Sequence, residues 1–168
     1  MQNFIITHSQ TESLVADSRI NYVSFTGSVE GGKKIQQAST KNEFGGFKQV
    51  TLELGGKDPA YVCADADLEY TAKELACGSF FNTGQCCCAV ERVYVHESVY
   101  DKFIYFAIKE AMLYKSGNPI DPEINMGPII SLESALHVRH LIYNALNQDA
   151  NLLYPPIPEF CDYDNENI

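Results

Sequence analysis

Three consecutive cysteines, Cys86, Cys87 and Cys88, follow an Asn-Thr-Gly-Gln turn and precede a Val-Tyr-Val stretch. Gly84 permits a tight turn, and a loop that enters a strand can hold one side chain at the mouth of a cleft. A thiol in such a place is a good nucleophile, because free cysteine with a pKa near ~8.5 is already partly ionised at neutral pH. An arbitrary cysteine is more often a small buried hydrophobe, so this chemistry needs support from a second motif.

The second motif is a carboxylate inside an alternating apolar run. Glu53 lies between Leu52 and Leu54, in a stretch that is typical of a strand and stops at Gly55-Gly56. We expect an acid at this strand end to be poorly hydrated, and such surroundings raise the pKa of a carboxyl group. Glu53 is therefore predicted to act as a general base, and the alternative is an ordinary solvated strand residue.

A strand, a glycine turn and a helix start precede both motifs. Residues 22–26 are rich in β-formers, Gly27-Ser28 follows, and residues 33–39 are compatible with a helix. Free backbone N–H groups at a helix start favour phosphate, which suits the pyrophosphate of a dinucleotide. The alternative is a purely steric role, because many strand-to-helix turns contain glycine.

Together these motifs resemble the aldehyde dehydrogenase superfamily. LELGGKDP is similar to the family's active-site glutamate motif, GQCCCAVE is similar to its cysteine motif, and the interval of 87 − 53 = 34 residues also looks like the family's. The pattern Gly-Gln-x-Cys selects Cys87 as the nucleophile and leaves Cys86 and Cys88 as flanking thiols. Strand alternation agrees, because the immediate neighbours of an inward-facing residue point to other faces.

The resemblance also implies a cofactor site and a reaction. The segment FTGSVEGG resembles the family's FTGS-x-E-x-G and departs from it at Val29 and Gly31. The cofactor is implied to be NAD or NADP, and the partner a small-molecule aldehyde. Cys87 would attack the aldehyde to give a thiohemiacetal and then a thioester, which water activated by Glu53 would hydrolyse to the carboxylic acid. The residues implied for cofactor contact are Gly27, Ser28, Gly32, Leu54 and Gly55.

Composition excludes several other classes of protein. A net charge of −10 and a pI near 4.7 argue against binding to nucleic acid, whose phosphates would repel this surface. No apolar stretch approaches the ~20 residues of a membrane helix, and the start MQNFIITHSQ does not look like a secretory signal. Six cysteines, three of them adjacent, do not form a disulfide framework, so we expect a reducing, cytoplasmic setting.

The alternation of strands and helices predicts an α/β fold with mainly parallel pairing. We expect the end of a Rossmann-like cofactor domain in residues 1–55, the first part of an α/β catalytic domain in 56–149, and a disordered, acidic, proline-containing tail in 150–168. After Glu53, strands are predicted at 60–62 and 92–96. A helix is predicted from Leu68 towards Phe81, capped by Asp65 or Asp67, and a second helix from a Ser98 capping box to Tyr114. A third helix is predicted from Leu132 to about Gln148.

Only residues 19–148 of this chain, roughly, resemble the family, and they correspond to the middle of the family's longer chain. We therefore also consider a truncated, non-catalytic fragment that binds full-length relatives, which the resemblance implies are homo-oligomers.

A metal site is not expected. The cysteines with His96 make a poor zinc site because adjacent cysteines should point apart, and Glu133, His137 and His140 are better explained as solvated helix residues.

Overall fold

Strands and helices alternate along the chain, and both strand pairs are parallel, which confirms the predicted α/β fold. The computed structural model describes residues 2–41 and 47–154. The chain divides into two units, Met1–Gly56 and Lys57–Ile168, and this division lies one residue after the boundary expected from the sequence. Residues 155–168, most of the predicted acidic tail, lie outside the described residues.

The described residues of the first unit form two helices and one strand pair: α1 (His8–Ala16), β1 (Tyr22–Gly27), α2 (Val29–Ser39) and β2 (Gln49–Leu54). The strands run in register, so that Thr26 lies opposite Glu53 and Gly27 lies opposite Leu54. Alternation along the strands turns one face towards the helices, and this face closes the apolar core of the unit. The core consists of Val15, Ile35 and Ala38, with Val23, Phe25, Val50 and Leu52 packed against it.

The second unit is built around another parallel pair, β3 (Asp58–Val62) and β4 (Val90–Val95). The helices are α3 (Leu68–Phe80), α4 (Tyr100–Ala111) and α5 (Leu132–Leu146), with short 3₁₀ turns at Phe81–Gly84 and Glu97–Val99. Helix α3 packs on α4 and the strands through Leu68 and Ala72. The core consists of Val62, Leu68, Ala72 and Phe103.

Helix starts account for most differences from the predicted elements. Helix α1 was not predicted, although Thr7 and Gln10 form a capping box at its start. Helix α2 begins four residues earlier than predicted, because Ser28 caps it and the glycines that follow lie inside the helix. Of the two proposed caps for α3, Asp67 is the one that accepts from a backbone N–H.

Helix α4 does not begin with the predicted capping box. Val99 is its N-cap residue and makes no side-chain cap. The Ser98 hydroxyl instead lies 2.9 Å from His96 Nδ1, within the preceding 3₁₀ turn. Helix α5 forms as predicted, with an apolar stripe of Ala135, Val138, Leu141, Ile142 and Ala145, but none of its residues is buried within the part of the chain that the structure describes. Among the described residues, no helix combines the length and the apolar character needed to cross a bilayer.

Candidate active site

The three cysteines lie in a turn between the 3₁₀ segment and β4, and not in the strand. The Ala89 N–H donates to the Cys86 carbonyl at 3.1 Å and closes this turn. Strand alternation therefore does not apply to these residues. The three Sγ atoms all lie within 4.8 Å of one another, and those of Cys86 and Cys88 are 3.4 Å apart. The expectation that adjacent cysteines point apart is wrong, because the turn curls their side chains towards each other.

A run of left-handed backbone leads into the cysteine turn. Asn82, Thr83 and Gly84 have φ values of 51°, 61° and 71°. This conformation is easy for glycine and uncommon for asparagine, and it is strained for a β-branched threonine. The Asn82 side chain donates to the Gln85 carbonyl at 3.1 Å and supports the bend. Strain of this kind persists only where the surrounding contacts hold it.

Those contacts come from the loop at residues 127–130. Thr83 Oγ1 donates to the Gly127 carbonyl at 3.1 Å. The Gln85 carboxamide reaches the same loop twice: its Nε2 donates to the Pro128 carbonyl at 3.4 Å, and its Oε1 accepts from the Ile130 N–H at 2.8 Å. The glutamine of the Gly-Gln-x-Cys pattern therefore positions the cysteine turn through its hydrogen bonds.

Ionisation differs between the flanking thiols. Hydrogen bonds from the backbone and side chain of Cys88 lower the pKa of Cys86 below its ordinary value. The pKa of Cys88 is raised, first because its side chain donates to Cys86 and then because negative charge on Cys86 and Cys87 disfavours a second thiolate. Cys86 is half-buried and Cys87 is exposed. Cys87 is therefore the more accessible of these two residues.

In the first unit, Glu53 lies at the carboxyl end of β2, beside Thr26 at the end of β1. Ligands of parallel α/β sheets bind at this edge. The expected poor hydration of Glu53 is wrong, because its side chain is exposed. The physical reason is alternation: Leu52 and Leu54 turn towards the helices that form the core, so Glu53 turns to the opposite face.

The start of α2 lies at the same edge of the strand pair. Ser28 Oγ accepts from the Gly31 N–H at 3.0 Å and so caps the helix. Gly32 is buried, and a Cβ at this position would lie 2.7 Å from Leu54 Cδ2, so the glycine lets α2 pack closely on β2. Gly55 is different, since a Cβ there would have no neighbour within 4 Å. Gly32 and Leu54 thus have a packing role that the sequence did not predict.

A cavity of about 360 Å³ opens beside this helix start, between α1 and α2. Sequence reasoning missed it, because the wall formed by α1 was not predicted. The signal that could have found this wall is the capping box of Thr7 and Gln10. The residues lining the cavity are His8, Thr11, Glu12, Phe25, Ser28, Glu30, Gly31, Lys34 and Ile35.

A family model, the aldehyde dehydrogenase family, matches residues 2–167. The chain belongs to the aldehyde dehydrogenase family. It is 44% identical to aldehyde dehydrogenase 1A1 from Oryctolagus cuniculus over 133 residues, which are 79% of this chain and 26% of that protein. The chain thus spans about a quarter of the length of the curated relatives that it matches.

Solved structures of other aldehyde dehydrogenases share this fold. A structure of 3,6-anhydro-L-galactose dehydrogenase in complex with NAP has a TM-score of 0.79 and 38% identity, covering 85% of this chain and 29% of that one. A double mutant of betaine aldehyde dehydrogenase from Staphylococcus aureus, in complex with NAD+ and with a BME-modified cysteine, has a TM-score of 0.78 and 33% identity. This match covers 84% of this chain and 28% of that chain.

The structure of this aldehyde dehydrogenase family member brings six of the predicted site residues together. They lie at the carboxyl edge of the β1–β2 pair or in the first turns of α2, all within the first unit. Cys87 belongs to the second unit, and its surroundings there are the anchored turn described above. The residues grouped in the first unit are Gly27, Ser28, Gly32, Glu53, Leu54 and Gly55.

Proposed function

We propose that this chain carries the nucleophile, the general base and part of the dinucleotide site of an NAD(P)-dependent aldehyde dehydrogenase. The observation that carries the proposal is the exposed thiol of Cys87 on a turn that directly follows strained backbone, which Thr83 and Gln85 anchor to a second loop. A nucleophile held in this way needs little reorganisation when a substrate arrives. Membership of the family supports the assignment of Cys87.

The first step assigned to this chain is attack by Cys87. Its thiolate forms a C–S bond to the aldehyde carbon, and the carbonyl oxygen becomes the oxyanion of a thiohemiacetal. The flanking thiols are close to the reacting sulfur, since the three sulfurs lie within 4.8 Å of one another. We assign Cys86 and Cys88 as flanking thiols and not as attacking groups.

The second step assigned to this chain is proton removal by Glu53. Its carboxylate takes a proton from water, the resulting hydroxide attacks the thioester carbon, and the C–S bond breaks to release the carboxylic acid and the Cys87 thiolate. Exposure of Glu53 gives water direct access to the base. Its place at the carboxyl end of β2 is where ligands of parallel sheets bind.

The residues at the start of α2 fit a dinucleotide. Glycine at position 31 leaves room beside Ser28 that a Cβ would fill, at 3.2 Å from Ser28 Oγ. The helix start favours a phosphate group, and Lys34 in the adjacent cavity adds a positive charge, while Glu12 and Glu30 contribute negative charge to the same wall. We assign the pyrophosphate to Gly27 and Ser28 and the adjoining part of the cofactor to this cavity. When bound, the nicotinamide supplies the hydride acceptor of the oxidation.

The proposed setting rests on the cysteines and on the family resemblance. We propose an aldehyde substrate and a cytoplasmic location, because reducing surroundings keep the cysteine thiols in their active form. We also propose that the full-length form is a homo-oligomer, on the family resemblance alone.

A hybrid enzyme tests this proposal. Residues 19–148 would replace the matching segment of aldehyde dehydrogenase 1A1 from Oryctolagus cuniculus, to which the chain is similar. We expect NADH to form from NAD and an aldehyde, Cys87→Ala to abolish its formation, and Cys86→Ala to retain it. Loss of activity in Cys86→Ala but not in Cys87→Ala would identify Cys86 as the nucleophile and contradict the proposal.

A second candidate function is non-catalytic association with full-length relatives. The observation that favours it is helix α5, where Val138 and Leu141, three residues apart on one apolar face, are both exposed. An inactive hybrid, together with co-elution of the 168-residue chain and a full-length relative in size-exclusion chromatography, would support this candidate over the enzyme.

A further inference from the structure

The cysteine turn has the donor set of a metal site. Three sulfurs converge to within 4.8 Å of one another, on one short turn whose backbone is already bent. We propose that Cys86, Cys87 and Cys88 bind one soft monovalent metal ion, Cu(I), through three thiolates. This site does not depend on the proposed catalytic role of Cys87, because it requires only three sulfurs in one place.

The distances suit a single ion. Metal–thiolate bonds are about 2.3 Å for zinc and similar for other first-row ions, so two sulfurs on one ion lie at most about 4.6 Å apart. The Cys86 and Cys88 sulfurs, 3.4 Å apart, already meet this limit. The largest separation in the cluster, 4.8 Å, exceeds the limit slightly. Cys87 is exposed, so its side chain has room to move the third sulfur into range.

The number and type of ligands select the metal. Thiolates are soft ligands, and they favour Cu(I), zinc and iron–sulfur clusters over hard cations. Structural zinc almost always takes four protein ligands. Within residues 2–41 and 47–154, no histidine, aspartate, glutamate or fourth cysteine joins the three sulfurs in one group. A three-sulfur site without a fourth protein ligand therefore favours Cu(I), which is stable with three thiolates.

Anchoring of the turn favours binding. The hydrogen bonds from Thr83 and Gln85 to the loop at 127–130 fix the backbone that leads into the cysteines. Less ordering is then needed when the ion binds, and this raises affinity. Binding involves no redox step: Cu(I) replaces the thiol protons, which are released to solvent. An ion in this site would also occupy the Cys87 sulfur and block any reaction there.

The experiment is a Cu(I) titration of the reduced 168-residue chain under argon, with bicinchoninate as a coloured competitor. The background variant carries Cys63→Ser, Cys77→Ser and Cys161→Ser, which removes the thiols outside the turn. We expect this variant to bind one Cu(I) as tightly as the original chain. X-ray absorption should show sulfur alone around the copper, with three Cu–S bonds.

Single substitutions in that background complete the test. Loss of groups that only support a ligand commonly weakens metal binding about 10–100-fold, so removal of a ligand should weaken it at least about tenfold. We expect this loss for Cys86→Ser, Cys87→Ser and Cys88→Ser alike, with unchanged far-UV circular dichroism. Unchanged affinity in any of the three, nitrogen or oxygen atoms bound to the copper, or displacement of Cu(I) by equimolar zinc would overturn the proposal.

Discussion

The Gln85 side chain offers a direct test of how the cysteine turn is held. Gln85→Ala removes the acceptor of the Ile130 N–H and the donor to the Pro128 carbonyl. Gln85→Glu is the matched variant, because its carboxylate keeps an acceptor for Ile130 but has no N–H to donate to Pro128. The two substitutions therefore separate the two contacts.

The magnitude follows from the lengths of these bonds. The Ile130 bond, at 2.8 Å, has good length, whereas the Pro128 bond and a further bond from Gln85 to the Asn82 carbonyl are both 3.4 Å and weak. A neutral hydrogen bond contributes about 0.5–1.5 kcal/mol net, so we expect the Ile130 bond to contribute about 1 kcal/mol to local stability. This free energy corresponds to about a fivefold change in an opening equilibrium.

Amide hydrogen exchange, measured by NMR at the Ile130 N–H, reads this equilibrium. We expect Gln85→Ala to speed exchange about fivefold and Gln85→Glu to leave it close to that of the original chain. The control is Gln148→Ala, because the Gln148 side chain bonds only Asn144 of the described residues. Equal exchange at Ile130 in Gln85→Ala and the original chain would refute the role assigned to Gln85.

Three further predictions concern packing, ionisation and the cofactor. Gly32→Ala should destabilise the chain by up to about 2 kcal/mol in urea unfolding, because the clash with Leu54 exceeds the gain in helix propensity; Gly55→Ala, with open space around it, should have little effect. Alkylation of Cys86 by iodoacetamide should persist to lower pH than that of Cys88, because the pKa of Cys86 is lowered and that of Cys88 is raised. Peptide mapping that finds Cys88 alkylated at lower pH than Cys86 would contradict this prediction. Ser28→Ala should lower the free energy of unfolding by about 1 kcal/mol, because the helix cap is lost, and it should weaken NAD binding in calorimetry. Equal NAD binding by the variant and the original chain would argue against the assigned pyrophosphate site.

Residue types and short motifs predicted the fold class, four strands with mainly parallel pairing, and most of the helices, because apolar periodicity and turn residues mark these elements in the sequence. The shape of the cysteine turn could not be predicted in this way. It depends on left-handed backbone at Asn82 and Thr83, which local preference disfavours and contacts with residues 127–130 hold in place. A strand interpretation was therefore natural for the cysteines, and it gave the wrong directions for their side chains.

The sequence also did not determine which side chains are exposed to solvent. Alternation placed Glu53 opposite the apolar positions of β2, but whether that face is covered depends on tertiary packing and not on the strand itself. Helix α5 shows the same limit, since a clear apolar stripe predicted the helix and yet none of its residues is buried. The start of α1 could be predicted from Thr7 and Gln10, but the cavity that it walls required the packing of two helices.

The most direct test of the proposed chemistry is mass spectrometry of the hybrid enzyme carrying Glu53→Gln, quenched in acid after mixing with NAD and an aldehyde. The proposal predicts that removal of the base slows hydrolysis of the thioester, so the acyl group accumulates on the peptide that contains the three cysteines. Fragmentation of this peptide should place the added mass on Cys87, and Cys87→Ala should abolish it. An acyl group on Cys86 or Cys88, or NADH formation that continues in Cys87→Ala, would contradict the proposal.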